Sequence, residues 1–324
     1  MSEQQTSSDL HWLAHVPVPL FAVVMGVVGL GLAWRKAHDV LDLSAVPGEA
    51  VLLLGGSLFL AILVLYGLKV LRFPAEFKAE MNHPVRANFG AAVSISLLLM
   101  ASAFLGWNRA VAEGLWMAGA ALQLAITLRM LGRWLFEAYE IHHSNPAWFI
   151  PVVGNLLVPI AGVKLGHLET AWFFFSVGMV FWVVLFSIVF YRIVFHPQMP
   201  PKLVPTLFIF IPPPAVGFLA YLLLTGGELD PFARILFSFA FFLVILLISL
   251  GRRFASVPFA ITWWAFTFPL DAAALATLEY ARLTGSTLFS GAAWGLLLLA
   301  TGVVVLVLIR TFRALAAGKL FVPE

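Results

Sequence analysis

Residues 259–280 read FAITWWAFTFPLDAAALATLEY, and the reading of this stretch decides the fold. It is mostly apolar and as long as a helix that crosses a bilayer, which needs about 20 residues. Its middle is nonetheless costly in lipid. Trp263, Trp264, Phe266 and Phe268 crowd it, Pro269 removes a backbone donor at its centre, and Asp271 puts an ionisable group near the midplane. Thr262, Thr267 and Thr277 add hydroxyls. Irregularity at membrane depth is tolerated where protein covers it or where it borders a water-filled cavity. The stretch is therefore expected to line a cavity rather than to face lipid.

The rest of the chain has the composition to provide that cover. Of 324 residues, 62% are hydrophobic and 11% charged, against about 25% charged in a typical soluble protein. The mean hydropathy of +0.99 places the chain in the membrane class, with the lipid bilayer as its first partner. The absence of cysteine excludes disulfides, thiolate metal sites and cysteine nucleophiles. A net charge of +3 is small, so its distribution matters more than its sum, and no nucleic-acid partner is expected. Residues 1–15 are polar, carry Glu3 and Asp9, and contain no Lys or Arg. They lack the basic region of a secretory signal and are expected to form a short mobile tail.

Apolar runs of spanning length fall at about 16–35, 50–72, 89–107, 111–135, 147–166, 169–194, 205–226, 230–251, 259–280 and 287–312. Ten spans make one transmembrane domain over 16–316, with residues 317–324 as a second tail and both ends on one side. Lys and Arg placement sets the orientation. With the ends inside, the inner loops and helix ends hold Lys69, Arg72, Lys78, Arg86, Arg129, Arg133, Arg192, Lys202, Arg252, Arg253, Arg310, Arg313 and Lys319. The outer side holds only Arg35, Lys36, Arg109, Lys164, Arg234 and Arg282. The termini are expected in the cytoplasm, and the membrane is expected to be the bacterial inner membrane.

Proline placement adds a pattern that hydropathy lacks. Pro17, Pro84, Pro146, Pro205 and Pro258 stand at the starts of the odd-numbered spans, at intervals of about 60 residues, the spacing of a helical-hairpin repeat. Odd spans also carry interior prolines: Pro151 and Pro159 in the fifth, Pro212, Pro213 and Pro214 in the seventh, Pro269 in the ninth. The interiors of the even spans have none. A proline inside a helix frees a carbonyl and bends the axis. Bends confined to alternate helices predict an all-α fold of two rings, with five kinked odd helices around a central pore and five straight even helices outside. The arrangement is five hairpins in pseudo-five-fold order.

Several segments resemble the bacterial TehA and plant slow-type (guard-cell) anion channel family, also called tellurite-resistance/dicarboxylate transporters. They are FAVVMGVVGLGLAW (21–34), HPVR (83–86), NPAWFIPVVGN (145–155), IPPPAVGFLAY (211–221) and, most specifically, WWAFTFPLDAAALATLEY (263–280). The likeness runs from about residue 16 to 320. It implies ten helices around a central pore, a homotrimer, and a phenylalanine gate that matches Phe268. A small residue of the first span packs beside that gate in the family, usually glycine; the matching position is Ala22. Where the family often kinks spans one and three with proline, this chain has Val24 and Ser94. Gly26, Gly29 and Gly31 keep the first span pliable and allow close packing, and Ser94 and Ser96 can bond back to the helix backbone.

Phe268, next to Pro269 on a helix expected to face the axis, suits a gate that blocks ions sterically and by dewetting; the bland reading is packing. Asp271 fits an anion path poorly, because a carboxylate near the bilayer centre costs about 2.5–3.5 kcal/mol on insertion scales. It either accepts from backbone N–H groups at the start of the second half-helix or takes part in proton coupling. No odd span has Lys or Arg in its central turns, so selectivity must come from the mouths and from easier dehydration of larger anions. Arg86, Lys202, Arg252 and Arg253 either form a positive inner vestibule or simply follow the positive-inside pattern. Glu137, Glu140, His142 and His143 read as a solvated linker rather than a metal site, and no metal or cofactor is expected. Tyr66, Gln123 and Asn155 read as interhelical hydrogen-bond partners. No catalytic pairing occurs at a plausible spacing, so the expected function is a gated passive channel for small anions such as nitrate and chloride. The alternative is a secondary transporter, proton-coupled or not, for C4-dicarboxylates such as malate or for tellurite efflux.

Overall fold

The computed structural model describes residues 11–321, and within them every regular element is helical. The even-numbered segments are the simpler ones. Each is a single α-helix: α2 (Val46–Arg72), α5 (Arg109–Phe136), α8 (Leu168–Phe195), α10 (Pro231–Ser249) and α13 (Thr287–Ala316). Their prolines, Pro47 and Pro231, stand in the first turn, where a missing N–H removes no ladder bond.

Every odd-numbered segment instead starts as a 3₁₀-helix and turns α further on. Val18–Leu20 leads into α1 (Phe21–Leu41), and Arg86–Gly90 into α4 (Ala91–Phe104). In the fifth segment Pro146–Trp148, α6 (Phe149–Val153), Gly154–Leu157 and α7 (Val158–Leu165) alternate. Pro201–Phe210 leads into α9 (Pro212–Leu224), and Ile261–Phe266 into α12 (Thr267–Thr284). The interior prolines therefore do not bend continuous helices, as the sequence suggested. Pro159, Pro213, Pro214 and Pro269 fall in first turns of α-helices, and Pro151 lies in the single short turn of α6. The residues before a proline are biased away from the α region, and a tighter ladder carries the chain up to it.

Side chains bond to backbone carbonyls of the inner segments. Gln123 Nε2 and Thr127 Oγ1, both on α5, donate to Pro151 O at 3.0 and 2.7 Å. Trp116 Nε1 donates to Val158 O at 2.8 Å, and Asn155 Nδ2 to Val152 O at 2.7 Å. Ser94 Oγ and Ser96 Oγ bond back to Ala91 O and Ala92 O at 2.8 and 2.7 Å. Beyond Phe21 and Ala91 neither α1 nor α4 is interrupted, so the positions of Val24 and Ser94 carry no break.

Packing follows the same alternation. In their most apolar stretches the first, third, fifth and seventh segments are 67–78% buried, whereas the even ones are 28–39% buried. Consecutive helices pair as α1 with α2, α4 with α5, α7 with α8, α9 with α10 and α12 with α13. The inner helices contact one another in a closed order: α1 with α4, α4 with α7, α7 with α9, α9 with α12, and α12 with α1. Outward faces such as Leu60 and Val64 of α2, Val180 and Val184 of α8, and Ile235 and Ile245 of α10 are exposed and apolar, as a lipid-facing surface requires.

Among the described residues, nine helical segments are long and apolar enough to cross a membrane. The stretch 259–280 is not one of them, because its Trp, Thr, Pro and Asp residues lower its hydropathy. Boundaries also shift: the first helix runs to Leu41 rather than 35, held at its polar end by Arg35 Nε donating to Glu49 Oε1 at 2.8 Å. Residues 11–15 of the expected tail form a 3₁₀ turn with Leu13 buried, and Trp12 stacks on Phe321 at 5.6 Å. The rest of both expected tails, 1–10 and 322–324, lies outside the described residues. The loop after α5 is polar: Arg133 pairs with Glu137 at 2.9 Å, and that hydrogen bond holds the Glu137 carboxyl below its ordinary range.

A short helix absent from the sequence reading, α3 (Pro74–Asn82), carries one partner of a buried ion pair. Lys69 Nζ donates to Glu80 Oε2 and to Val16 O, each at 2.7 Å, while Tyr66 Oη and Val18 N donate to the same carboxylate at 2.9 and 2.7 Å. This cluster anchors the start of the first segment against α2. Removing one member of a buried pair costs about 3–5 kcal/mol. Lys69→Met should therefore lower the thermal midpoint of the detergent-solubilised protein sharply. Adding Glu80→Gln should recover part of the loss; if it recovers none, the pair is not what anchors this turn.

Candidate functional site

The five inner segments enclose a cavity of about 790 Å³, its open mouth included. Each contributes wall. Pro19, Ala22 and Met25 come from the first segment, Phe89, Ala92 and Ile95 from the third, and Phe149, Ile150, Val153, Gly154, Leu156 and Leu157 from the fifth. Ile209, Pro212, Pro213 and Val216 come from the seventh, and Ile261, Thr262, Trp264, Ala265, Phe268 and Pro269 from the ninth. No even-numbered segment contributes. Thr262 is the only hydroxyl among the wall residues, and it is engaged, donating to Lys202 O at 2.5 Å.

No lining residue comes from the last turns of its segment. The lining ends at Met25, Ile95, Leu157, Val216 and Pro269, so Phe268 sits among the last residues of the wall. Its ring is 7% exposed. The local fold puts it there: Ile261–Phe266 is 3₁₀, α12 begins at Thr267, and Pro269 follows at once. Thr267 Oγ1 donates to Trp264 O at 2.8 Å, and Trp264 Nε1 to Thr311 Oγ1 of α13 at 2.9 Å, tying this junction to its hairpin partner.

Against the junction lies α1, brought close by two glycines. A Cβ on Gly26 would collide with the Thr267 side chain. A Cβ on Gly29 would stand 3.2 Å from Phe268 Cδ2 and 2.8 Å from Asp271 Oδ2. Ala22 shares the cavity with Phe268, but the residue whose missing side chain makes room for the ring is Gly29, two turns on. The sequence signal was there in Gly26-x-x-Gly29, a small-residue stripe; its partner helix was not.

Asp271 faces Gly29 rather than the cavity. It is 0% exposed, and neither carboxyl oxygen has a hydrogen-bond partner among the described residues. The expected cap on backbone N–H groups is therefore not made. Lying inside α12, where the N–H groups serve the helix ladder, the side chain has no free donor near it. An ionised carboxylate with neither cation nor donor would cost several kcal/mol at this depth.

Arg86, Lys202, Arg252 and Arg253 do not line the cavity, whose wall is apolar. Arg86 opens the 3₁₀ turn of the third segment, Lys202 lies exposed in that of the seventh, and Arg252 and Arg253 are exposed on the short helix α11 (Gly251–Ala255). Pro151, Pro159 and Pro214 shape the wall without forming it. Gln123 and Asn155 bridge α5 to the fifth segment, and Ser94 Oγ donates to Gln123 Oε1 at 2.6 Å.

Apolar helices around a shared internal cavity, with an apolar outer surface, define a multi-pass membrane protein. The chain belongs to the SLAC1 family of voltage-dependent anion channels, whose sequence profile matches residues 15–312. It is 29% identical over 317 residues to the S-type anion channel SLAH3 of Arabidopsis thaliana, covering 94% of this chain and 49% of that protein. It is 26% identical over 297 residues to the tellurite resistance protein TehA homolog of Haemophilus influenzae, covering 88% and 90%. An uncharacterized transporter of Methanocaldococcus jannaschii is 27% identical over 328 residues, covering 93% and 95%. The chain thus spans about half the length of its plant relative SLAH3.

A side chain at Gly29 must displace Asp271 or the Phe268 ring, and overpacking of this kind costs about 1–3 kcal/mol. Gly29→Val should lower the thermal midpoint clearly, while Ala22→Gly, at the cavity wall, should barely move it. Equal effects would mean that Gly29 does not set the fit of the ring.

Proposed function

We propose that the protein is a gated, passive channel for small monovalent anions, nitrate and chloride among them, with Phe268 as the gate. One observation carries the reading: Phe268 lines an apolar cavity to which all five inner segments contribute and no outer one does. A ring at the narrow end of an apolar tube stops hydrated ions sterically and by dewetting. With no cation in the wall to bind a dehydrated anion, selection falls on ease of dehydration, which favours nitrate at least as much as chloride. The relatives, named as anion channels, a tellurite resistance protein and a transporter, agree with transport rather than catalysis.

The architecture we infer is ten crossings in five hairpins, in pseudo-five-fold order. Stacking of Trp12 on Phe321 supports an even number, because it brings the two ends of the described chain to one face. The segment Ile261–Thr284 is then the tenth crossing, sheltered by α1, α9 and α13 despite its low hydropathy. Termini on the cytoplasmic side of an inner membrane fit the Lys and Arg distribution. A homotrimer fits the family resemblance, with the exposed even helices as the surfaces for assembly.

Asp271 favours a second reading, a proton-coupled transporter of C4-dicarboxylates or tellurite, because it is buried without a partner one turn from Phe268. Reconstitution in liposomes or planar bilayers separates the two. A channel gives current whose reversal potential follows the anion gradient alone, and Phe268→Ala should raise it about ten-fold or more by removing the block. Saturating uptake that moves protons and disappears in Asp271→Asn would replace the channel by the transporter. Unchanged conductance in Phe268→Ala would remove the gate from either.

A further inference from the structure

Gly29 of α1 holds two side chains of α12 against its backbone at once. A Cβ built there would lie 2.8 Å from Asp271 Oδ2, 3.2 Å from Asp271 Cβ and 3.2 Å from Phe268 Cδ2. The carboxyl and the ring therefore share one seat, besides standing about one turn apart on the same helix. Asp271 is 0% exposed, and neither of its oxygens has a hydrogen-bond partner among the described residues. Phe268 lines the apolar cavity and Asp271 does not. On α12 the wall stops at Pro269, so water entering from the cavity meets the ring before the carboxyl.

The elements packed on α12 are α1, α9, α10 and α13, with the 3₁₀ stretches Pro201–Phe210 and Ile261–Phe266. On α1 the titratable groups are Arg35, Lys36, His38 and Asp39, all six or more residues beyond Gly29, which is about 9 Å or more along the axis. Arg35 is held by Glu49 and Lys36 by Glu279. The seventh segment brings exposed Lys202 and, on α9, Tyr221, which donates to Asp230 at 2.5 Å. Arg234 of α10 donates to Tyr280 at 3.3 Å, and Arg310 and Arg313 stand toward the C-terminal end of α13. On α12 itself Glu279 and Arg282 lie two turns or more beyond Asp271 and pair with each other. None of these groups bonds to Asp271. A carboxylate here would have neither cation nor donor, and the neutral acid is the form that fits dry packing.

We propose that Asp271 is a positioning residue for the Phe268 gate, a latch that is shut while its carboxyl carries a proton and released when the carboxyl ionises. The proposal rests on the channel reading. As the neutral acid, Asp271 packs on Gly29 and keeps α12 pressed to α1, which limits the ring from behind. The ionised form needs water or a donor, and no donor bonds to it in this seat. Hydration then requires α1 and α12 to part at Gly29, and the departing proton passes to the water that enters. Parting there frees the Phe268 ring, whose edge rests on the same glycine. Acid closes the gate and base opens it. The proton is bound and released in place, so the reversal potential stays with the anion gradient at every pH. That separates the latch from a proton-coupled transporter.

The test is anion current through planar bilayers as the pH on both faces is raised together from about 5 to about 9, wide enough to titrate a buried carboxyl. Wild-type current should rise about five-fold or more over that range, as the closed population gives way to the open one. Asp271→Asn cannot ionise and should lose the rise, and Asp271→Ser, a second neutral variant, should show the same flat profile. Phe268→Ala should carry a high current without the rise, because the latch has no ring to hold. A merely structural Asp271 predicts one shared pH profile for wild type and both neutral variants. That result, or a Phe268→Ala profile as steep as the wild type's, overturns the proposal. If Phe268→Ala carries no anion current, the channel reading fails on its own account, and the ring is read without flux. With para-fluorophenylalanine in place of Phe268, the detergent-solubilised chain should give two fluorine NMR signals whose ratio follows pH, and Asp271→Asn should abolish that dependence. A single signal at every pH overturns the latch.

Discussion

Backbone hydrogen bonding in a medium without water is the constraint on which the rest depends. A carbonyl released at membrane depth can be satisfied only by protein or by a water-filled space. The odd-numbered segments all begin on a tighter ladder than the α-helix, and four of them pass a proline in or next to the turn where the ladder changes. Such segments cannot face lipid. The even-numbered helices, with unbroken ladders, can, and they wrap the others. The division into an inner and an outer set is thus a consequence of where the chain can keep its own backbone bonds. The polar bridges from Gln123, Thr127 and Trp116 tie an outer helix to the carbonyls of the fifth segment.

The inner set closes through one tight contact. Between α1 and α12 the glycines at 26 and 29 let the helices approach until Thr267, Phe268 and Asp271 lie against the α1 backbone. That approach brings the ninth segment, the least hydropathic of the chain's long segments, into the bundle. It also limits the Phe268 ring from behind while its front faces the cavity. A buried carboxyl with no hydrogen-bond partner among the described residues is an unusual thing to keep beside the same glycine, and it lies one helical turn from the ring. The two side chains share a neighbour, so a change at one is felt at the other.

The charge distribution follows the same geometry. The cavity wall carries no ionised group, and the basic residues that sequence reading assigned to an inner vestibule stand outside it. Near the far ends of the inner helices, Lys36 of α1 forms an ion pair with Glu279 of α12. Pairing of this kind is invisible in a linear reading, since Lys36 and Glu279 are more than two hundred residues apart and carry no motif. Gly29 was visible as part of a packing stripe, but not as the seat of the Phe268 ring. Phe268 and Pro269 were legible as a unit because an aromatic beside a proline in a Trp- and Thr-rich segment has no place on a lipid face.

Sequence alone determined the membrane class, the alternation of broken and unbroken segments, and the singling out of residues 259–280. These depend on local properties: hydropathy over about 20 residues and the missing N–H of proline. Only the tertiary structure decided that prolines start α-helices instead of bending them, that Asp271 caps nothing, and that Gly29 seats the ring. It also decided that Lys36 pairs with Glu279. Those are contacts between residues far apart in the chain, set by the closed order in which the inner helices pack, and no local pattern encodes that order.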